Sequence, residues 1–250
     1  MMRRHVTLLA VTGGLLAGAA PAMAGAPALG NGPAHIAVAN AAGWSSSNWS
    51  GYAGTTTAAT SVVGEWQVPT VKATAGNTYS STWIGIDGFT NSNLIQTGTE
   101  QDWAGGHAVY RAWWEILPAA ETVISSITVH PGDIFTANIH KGSGTTWHIM
   151  ITDTTSGKSF SINKTYLGAG GSVEWIQEAP EVGGVVAHLA HYGKTFFINC
   201  GFDGVKIAFT AGNRGVMIQG GKQVSTPSEP SSAGNGFEVA YGATTPAPPA

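Results

Sequence analysis

From about residue 48 onward, apolar and polar positions alternate in short runs broken by Gly, Asn, Ser and Pro, and no run keeps a helical period. The alternation predicts strands at 48–55, 61–68, 81–87, 93–97, 108–117, 123–129, 133–140, 147–153, 158–165, 172–178, 195–199, 204–209, 215–219 and 236–241. Ser156-Gly157 in "ITDTTSGKSFSI" supplies a hairpin turn. So many short strands predict one all-β domain, an antiparallel sandwich or barrel.

The same alternation assigns faces, because successive side chains on a strand point to opposite sides. In "STWIGIDG", Ile84 and Ile86 oppose Trp83, Gly85 and Asp87. In "YRAWWEILP", Arg111, Trp113 and Glu115 share a face, and in "SVEWIQEAP" so do Glu174, Ile176 and Glu178. Faces that mix tryptophan with carboxylates suit a ligand cleft better than a plain core or a plain solvent face.

The ends read differently. Residues 1–24 carry two arginines, an apolar run and Ala22-Met23-Ala24 before Gly25, the pattern of a secretory signal peptide cut after Ala24. A membrane anchor is disfavoured, because the run is short and broken by Gly13, Gly14 and Gly18. A secreted protein, free of the membrane once the signal is removed, is expected. Residues 25–46 have no period and read as a leader or short pro-segment, and 244–250 as a disordered Pro/Ala tail. The domain is expected to span 47–243.

Charge changes the picture next. Charged residues make up 10% of the chain, against roughly 25% in ordinary soluble domains. A fold that leans little on ionised carboxylates loses little when acid protonates them, which hints at an acidic habitat. The eleven basic residues include Arg3 and Arg4 of the signal, so nothing argues for a nucleic-acid partner. Cys200 is the one cysteine; no intrachain disulfide is possible, and "FFINCGF" marks it as core.

Several chemistries lack their signatures. There is no G-x-S-x-G elbow, no H-E-x-x-H, no Asp-Thr-Gly or Asp-Ser-Gly and no Gly-rich phosphate loop. His188 and His191 would need a third ligand to bind metal. Neither cofactor nor metal is expected, and carboxylate chemistry remains. Glu174 and Glu178 are an unsuitable couple, since a spacing of four on one strand separates them by roughly 13 Å. Glycosidase carboxylates stand about 5–9.5 Å apart.

Six strings, "SNWSGYA", "WIGIDG", "LIQTG", "YRAWWEILP", "ITVHPGD" and "VEWIQE", resemble in order and spacing the glutamic peptidases, or eqolisins. The likeness covers most of 47–180. It implies a concanavalin A-like sandwich of two curved antiparallel sheets and an acid endopeptidase that needs no metal and ignores pepstatin. It also implies a catalytic glutamine at Gln96 and a catalytic glutamate at Glu178, with Glu181 as a second possible acid. Trp83, Asp87, Trp113 and Glu115 fall on family positions and form the expected substrate-binding set. The indoles would wall the cleft, and the two carboxylates would hold the active amide and carboxyl in place.

Chemistry agrees with this pairing. Peptide hydrolysis without a protein nucleophile needs a base for water and a donor for the developing oxyanion. A neutral amide, unlike a second carboxylate, does not raise its partner's pKa. Glu178 is therefore expected to stay ionised at lower pH than a lone buried glutamate. Polypeptide substrates and a monomeric chain are expected. Two rival readings exist: a sandwich glycoside hydrolase using Glu115 and Glu178, and a non-catalytic carbohydrate-binding module using the tryptophans alone.

Overall fold

In the computed structural model, which describes residues 29–249, the alternating runs become extended strands. In chain order they are β1 (Leu29–Gly30), β2 (Ile36–Asn40), β3 (Gly43–Ser46), β4 (Trp49–Thr55), β5 (Ser61–Gln67), β6 (Ser81–Ile86), β7 (Ile95–Ala104), β8 (His107–Ile116), β9 (Thr122–Val123) and β10 (Ile134–Lys141). There follow β11 (Thr146–Asp153), β12 (Lys158–Thr165), β13 (Ser172–Glu178), β14 (Glu181–Val182), β15 (Val185–Val186), β16 (Lys194–Phe202), β17 (Val205–Lys206), β18 (Arg214–Gln219), β19 (Lys222–Pro227) and β20 (Phe237–Tyr241).

Antiparallel pairing runs β9–β8–β7–β6–β13–β4–β18 in one layer. It runs β12–β11–β10–β5–β16–β20–β19 in the other, and β18 pairs with β19 to join the two. The sandwich predicted by the alternation is present.

Between the layers, Ile84, Ile86, Val173 and Trp175 meet Val62, Trp66, Phe135 and Phe197 in one buried cluster. Burying each such side chain contributes about 1.5–3 kcal/mol. The indoles also satisfy their N–H groups across the gap: Trp66 Nε1 donates to Thr99 Oγ1 at 3.0 Å and Trp175 Nε1 to Val63 O at 2.8 Å. Gly64 makes this approach possible, since a Cβ there would lie 2.9 Å from Trp175 Cδ1 and 3.0 Å from Ile84 Cγ2. Cys200 is buried in the same cluster.

Four expectations are corrected or extended. The strand expected at 93–97 runs on instead as β7 through Gly98 to Ala104, with both of its faces buried as far as Asp102. The strand expected at 123–129 stops at Val123, where Ile127 N bonds back to Ile124 O and closes a turn around two serines. Residues 29–46, which showed no period, form three strands, of which β3 lies parallel to β18. β19 went unpredicted because "KQVSTP" carries little apolar alternation. The signal peptide and its cleavage site lie outside the described residues, as does Ala250; residues 244–249 carry no helix or strand. Among the described residues, no helix is long and apolar enough to cross a membrane.

Candidate active site

Five adjacent strands, β4, β13, β6, β7 and β8, present their second face away from the core. Alternation places Trp49, Ile176, Trp83 and Trp113 there in a separate apolar cluster with Leu94. Trp49 and Trp83 meet edge to face, centroids 4.9 Å apart. Gly98 stands opposite both Trp83 and Trp113 in the register. A Cβ at Gly98 would fall 2.4 Å from Trp83 Cβ, so only glycine leaves room for the indole.

On this floor stand the polar groups. Gln96 and Glu115 face each other across β7 and β8. Gln96 Nε2 donates to Glu115 Oε2 at 2.8 Å and to the Asn31 carbonyl oxygen at 2.6 Å. Gln96 Oε1 is buried and has no partner among the described residues, which leaves it free to accept from a water. Burial lifts the Glu115 pKa to about 8, against opposing hydrogen bonds from Asn31 N and Gln96.

Glu178 ends β13, fully buried. Its Oε2 accepts from Trp83 Nε1 at 2.8 Å and its Oε1 from Asn48 Nδ2 at 3.3 Å. Burial pushes its pKa well above the ordinary carboxylate value; the charge of Glu115 adds to this, and donors from Trp83, Trp49 and Asn48 oppose it. Buried as it is, Glu178 holds its proton to higher pH than an exposed glutamate does.

The register sets Gln96 level with Gly85 and Glu174, and Glu178 level with Ser81 and Glu100. Along the strands the two thus stand four residues apart, roughly 13 Å, on a diagonal over Trp83. They do not hydrogen-bond each other. Gln96 touches residues 31–33 directly, whereas Glu178 is joined to them only through Asn48. Along that segment, Asn31 O accepts from Gln96, Gly32 O from Trp49 Nε1 at 3.0 Å, and Pro33 O from Asn48 Nδ2 at 3.0 Å. Asn48 thereby touches both the segment and Glu178.

The remaining predicted residues divide. Trp83 and Trp113 are fully buried in the apolar floor rather than open walls, although Trp83 reaches Glu178 directly. Asp87 is not in the groove. Its carboxylate accepts from Tyr166 Oη, Asn91 Nδ2, Gly170 N and Gly171 N, which ties down the loop entering β13. Its place in the substrate-binding set is withdrawn, since every bond it makes goes to that loop or its neighbour. Arg111 is likewise engaged, paired with Glu100 and 3.7 Å from Asp102. Glu181 pairs in register with Gly30 and lies 3.5 Å from His35. Glu174 is fully buried.

Sequence reasoning missed Asn31, Asn48, Trp49, Ser81 and Glu121. Asn48 and Trp49 stood in the first matched string, "SNWSGYA", which was the available signal. Ser81 donates to Asn31 Oδ1, and Asn31 Nδ2 donates to Glu121 Oε2 at 3.2 Å.

The fold is an antiparallel sandwich that sets an amide and a buried glutamate over a floor of tryptophans. The Peptidase A4 family matches residues 47–241, and the chain belongs to that family. The six strings that resembled glutamic peptidases agree with this membership. Aspergillopepsin-2 of Aspergillus niger is 29% identical over 180 residues, 62% of this chain. The chain spans 63% of that relative's length. Scytalido-glutamic peptidase, solved with a transition state analog inhibitor, superposes with a TM-score of 0.66 over 78% of this chain and 98% of its own, at 22% identity, a likeness of fold. Aspergilloglutamic peptidase from Aspergillus niger gives 0.53 over 66% of this chain and 99% of its own, at 25% identity.

Proposed function

We propose that the protein is a secreted acid endopeptidase that hydrolyses polypeptides with Gln96 and Glu178. One observation carries the reading: the Gln96 amide already holds a peptide carbonyl at 2.6 Å, and Asn48 ties the same peptide segment to Glu178. In turnover the same N–H donates to the substrate carbonyl oxygen and stabilises the oxyanion as it forms. Gln96 Oε1 accepts from the attacking water. Glu178, ionised once the groove is open to solvent, takes a proton from that water and returns it to the departing amine. Trp83 Nε1 and Asn48 Nδ2 hold the carboxylate in its charged form, and Glu115 fixes which edge of the Gln96 amide faces substrate. The likeness to peptidases crystallised with peptide-like inhibitors supports polypeptides over glycans.

The test is incubation of the purified chain with denatured protein at about pH 3 and pH 7, with pepstatin present. Peptide release in acid only supports the reading. Sugar release from a glucan without proteolysis replaces it with the glycosidase, and glycan binding without turnover replaces it with a binding module.

A further inference from the structure

The hairpin of β10 and β11 carries two histidines that the groove does not use. His140 and His148 are direct partners in the register, and both point away from the core side that buries Ile139 and Ile149. Their rings stand 4.7 Å apart at the centroids and 18° from parallel. Neighbouring strands fix the backbone on each flank, β5 against β10 and β12 against β11. The sheet, not the rings, therefore sets how far apart the two side chains begin.

No opposite charge accounts for this closeness. Across four strands the row reads Ser61, His140, His148 and Asn163, without a carboxylate. The ion pairs that involve histidine go to His35 and His130 instead. Two details suit the rings to a cation that imidazole itself can bind. His140 Nδ1 lies 3.3 Å from Asn138 Oδ1. An amide oxygen only accepts, so in the neutral ring the proton sits on Nδ1 and the lone pair on Nε2. Metal-binding histidines are commonly oriented through their second nitrogen in this way. His148 Nε2 lies over Gly142, where a Cβ would come within 2.5 Å of it. Any larger residue at 142 would displace that nitrogen.

We propose that His140 and His148 chelate a borderline divalent metal ion, Cu²⁺ most tightly, through their Nε2 atoms on the outer face of the second layer. Imidazole suits Cu²⁺, Ni²⁺ and Zn²⁺, and copper leads the order of divalent affinities. A row without carboxylates does not suit Mg²⁺ or Ca²⁺, which take oxygen ligands. With bonds of about 2.0–2.1 Å, two nitrogens on one ion stand at most ~4.2 Å apart. Rings 4.7 Å apart reach that by a small tilt. Water fills the remaining positions. The site lies on the layer away from the groove, so the ion takes no part in hydrolysis and the inference does not depend on the peptidase reading.

The test titrates CuCl₂ alone into the full, chelator-treated chain at about pH 7.5, where imidazole is largely neutral. Electron paramagnetic resonance of the wild-type complex should show two nitrogen ligands. His140→Ala and His148→Ala each remove one arm of the chelate. Calorimetry should then give a Kd raised about ten- to a hundredfold, because the second arm acts at high effective concentration. His188→Ala/His191→Ala, a histidine pair elsewhere, should leave the Kd unchanged. Saturating Cu²⁺ should raise the wild-type Tm and leave that of the His140→Ala/His148→Ala variant unmoved. Melts without metal establish that each variant is folded. An unchanged Kd in either single variant overturns the site, as does its loss in His188→Ala/His191→Ala instead. A wild-type spectrum without two nitrogen ligands overturns it whatever the variants do.

Discussion

Gln96 and Glu115 form a cross-strand pair in which the amide nitrogen donates to the carboxyl oxygen at 2.8 Å. Because Nε2 is committed in this way, Oε1 is left without a partner, and the orientation of the amide is set by its neighbour rather than by substrate. Glu115→Ala removes the orienting partner. A lost hydrogen bond of this kind is worth about 1–3 kcal/mol. Activity should fall roughly ten- to a hundredfold, in kcat rather than KM, since substrate contacts remain. Steady-state kinetics on one peptide checks the split.

Stability should decline with rising pH. Glu115 and Glu121 titrate near about 8 and about 9 in the fold, each lifted first by burial from an ordinary 4.5. Below about pH 4.5 both folded and unfolded chains hold these protons, and the stabilisation is complete. Above that the unfolded chain ionises first, so the stabilisation shrinks and is lost as pH passes through 8 to 9. Thermal melts should therefore give the highest Tm in acid and a lower one at pH 9. A Tm that rises from pH 4 to pH 9 would contradict the burial of neutral carboxyls.

Asp87→Asn tests the correction made at that residue. It keeps a side chain tolerant of the positive φ of 71° but drops the charge that Gly170 N and Gly171 N share. The fold should lose about 1.5–3 kcal/mol, the worth of hydrogen bonds to a charged group. Denaturant titration measures the loss. The rate per folded molecule should stay near wild type, unlike that of a substrate-binding residue.

Gly64→Ala should destabilise without touching the groove. The added methyl must displace Trp175 and Ile84, and overpacking costs about 1–3 kcal/mol. A lower denaturation midpoint with unchanged kcat/KM well below melting is expected.

Legibility in the sequence followed the physics of each region. Trp83 against Ile84, and Glu178 against Trp175, were separable by eye because period-two alternation is strict where both faces are buried. Gln96 and Glu178 were singled out, from strings more than eighty residues apart, through the family resemblance. Asn31 was not legible: its role comes from a leader with no period, held by main-chain carbonyls that any residue carries. Asn48 stood in a matched string with nothing to mark its role, and only the fold shows a side chain that bridges Glu178 and Pro33. Asp87 was misread because it follows Trp83 on the same alternating face, whereas its positive φ breaks the strand there and turns it to the 166–171 loop. The raised pKa of Glu178 had no sequence signal, since the cover that desolvates it lies far away in the chain.

The central claim is that the Gln96 amide and the Glu178 carboxyl, carried on different strands, together perform the hydrolysis. The most direct measurement is kcat at about pH 3 for a single peptide cut by wild type, Gln96→Ala and Glu178→Gln, each shown to be folded. Loss of an oxyanion donor predicts a drop of about 10²–10³ for the first variant, and loss of the base about 10²–10⁴ for the second. Wild-type turnover by either variant would contradict the account.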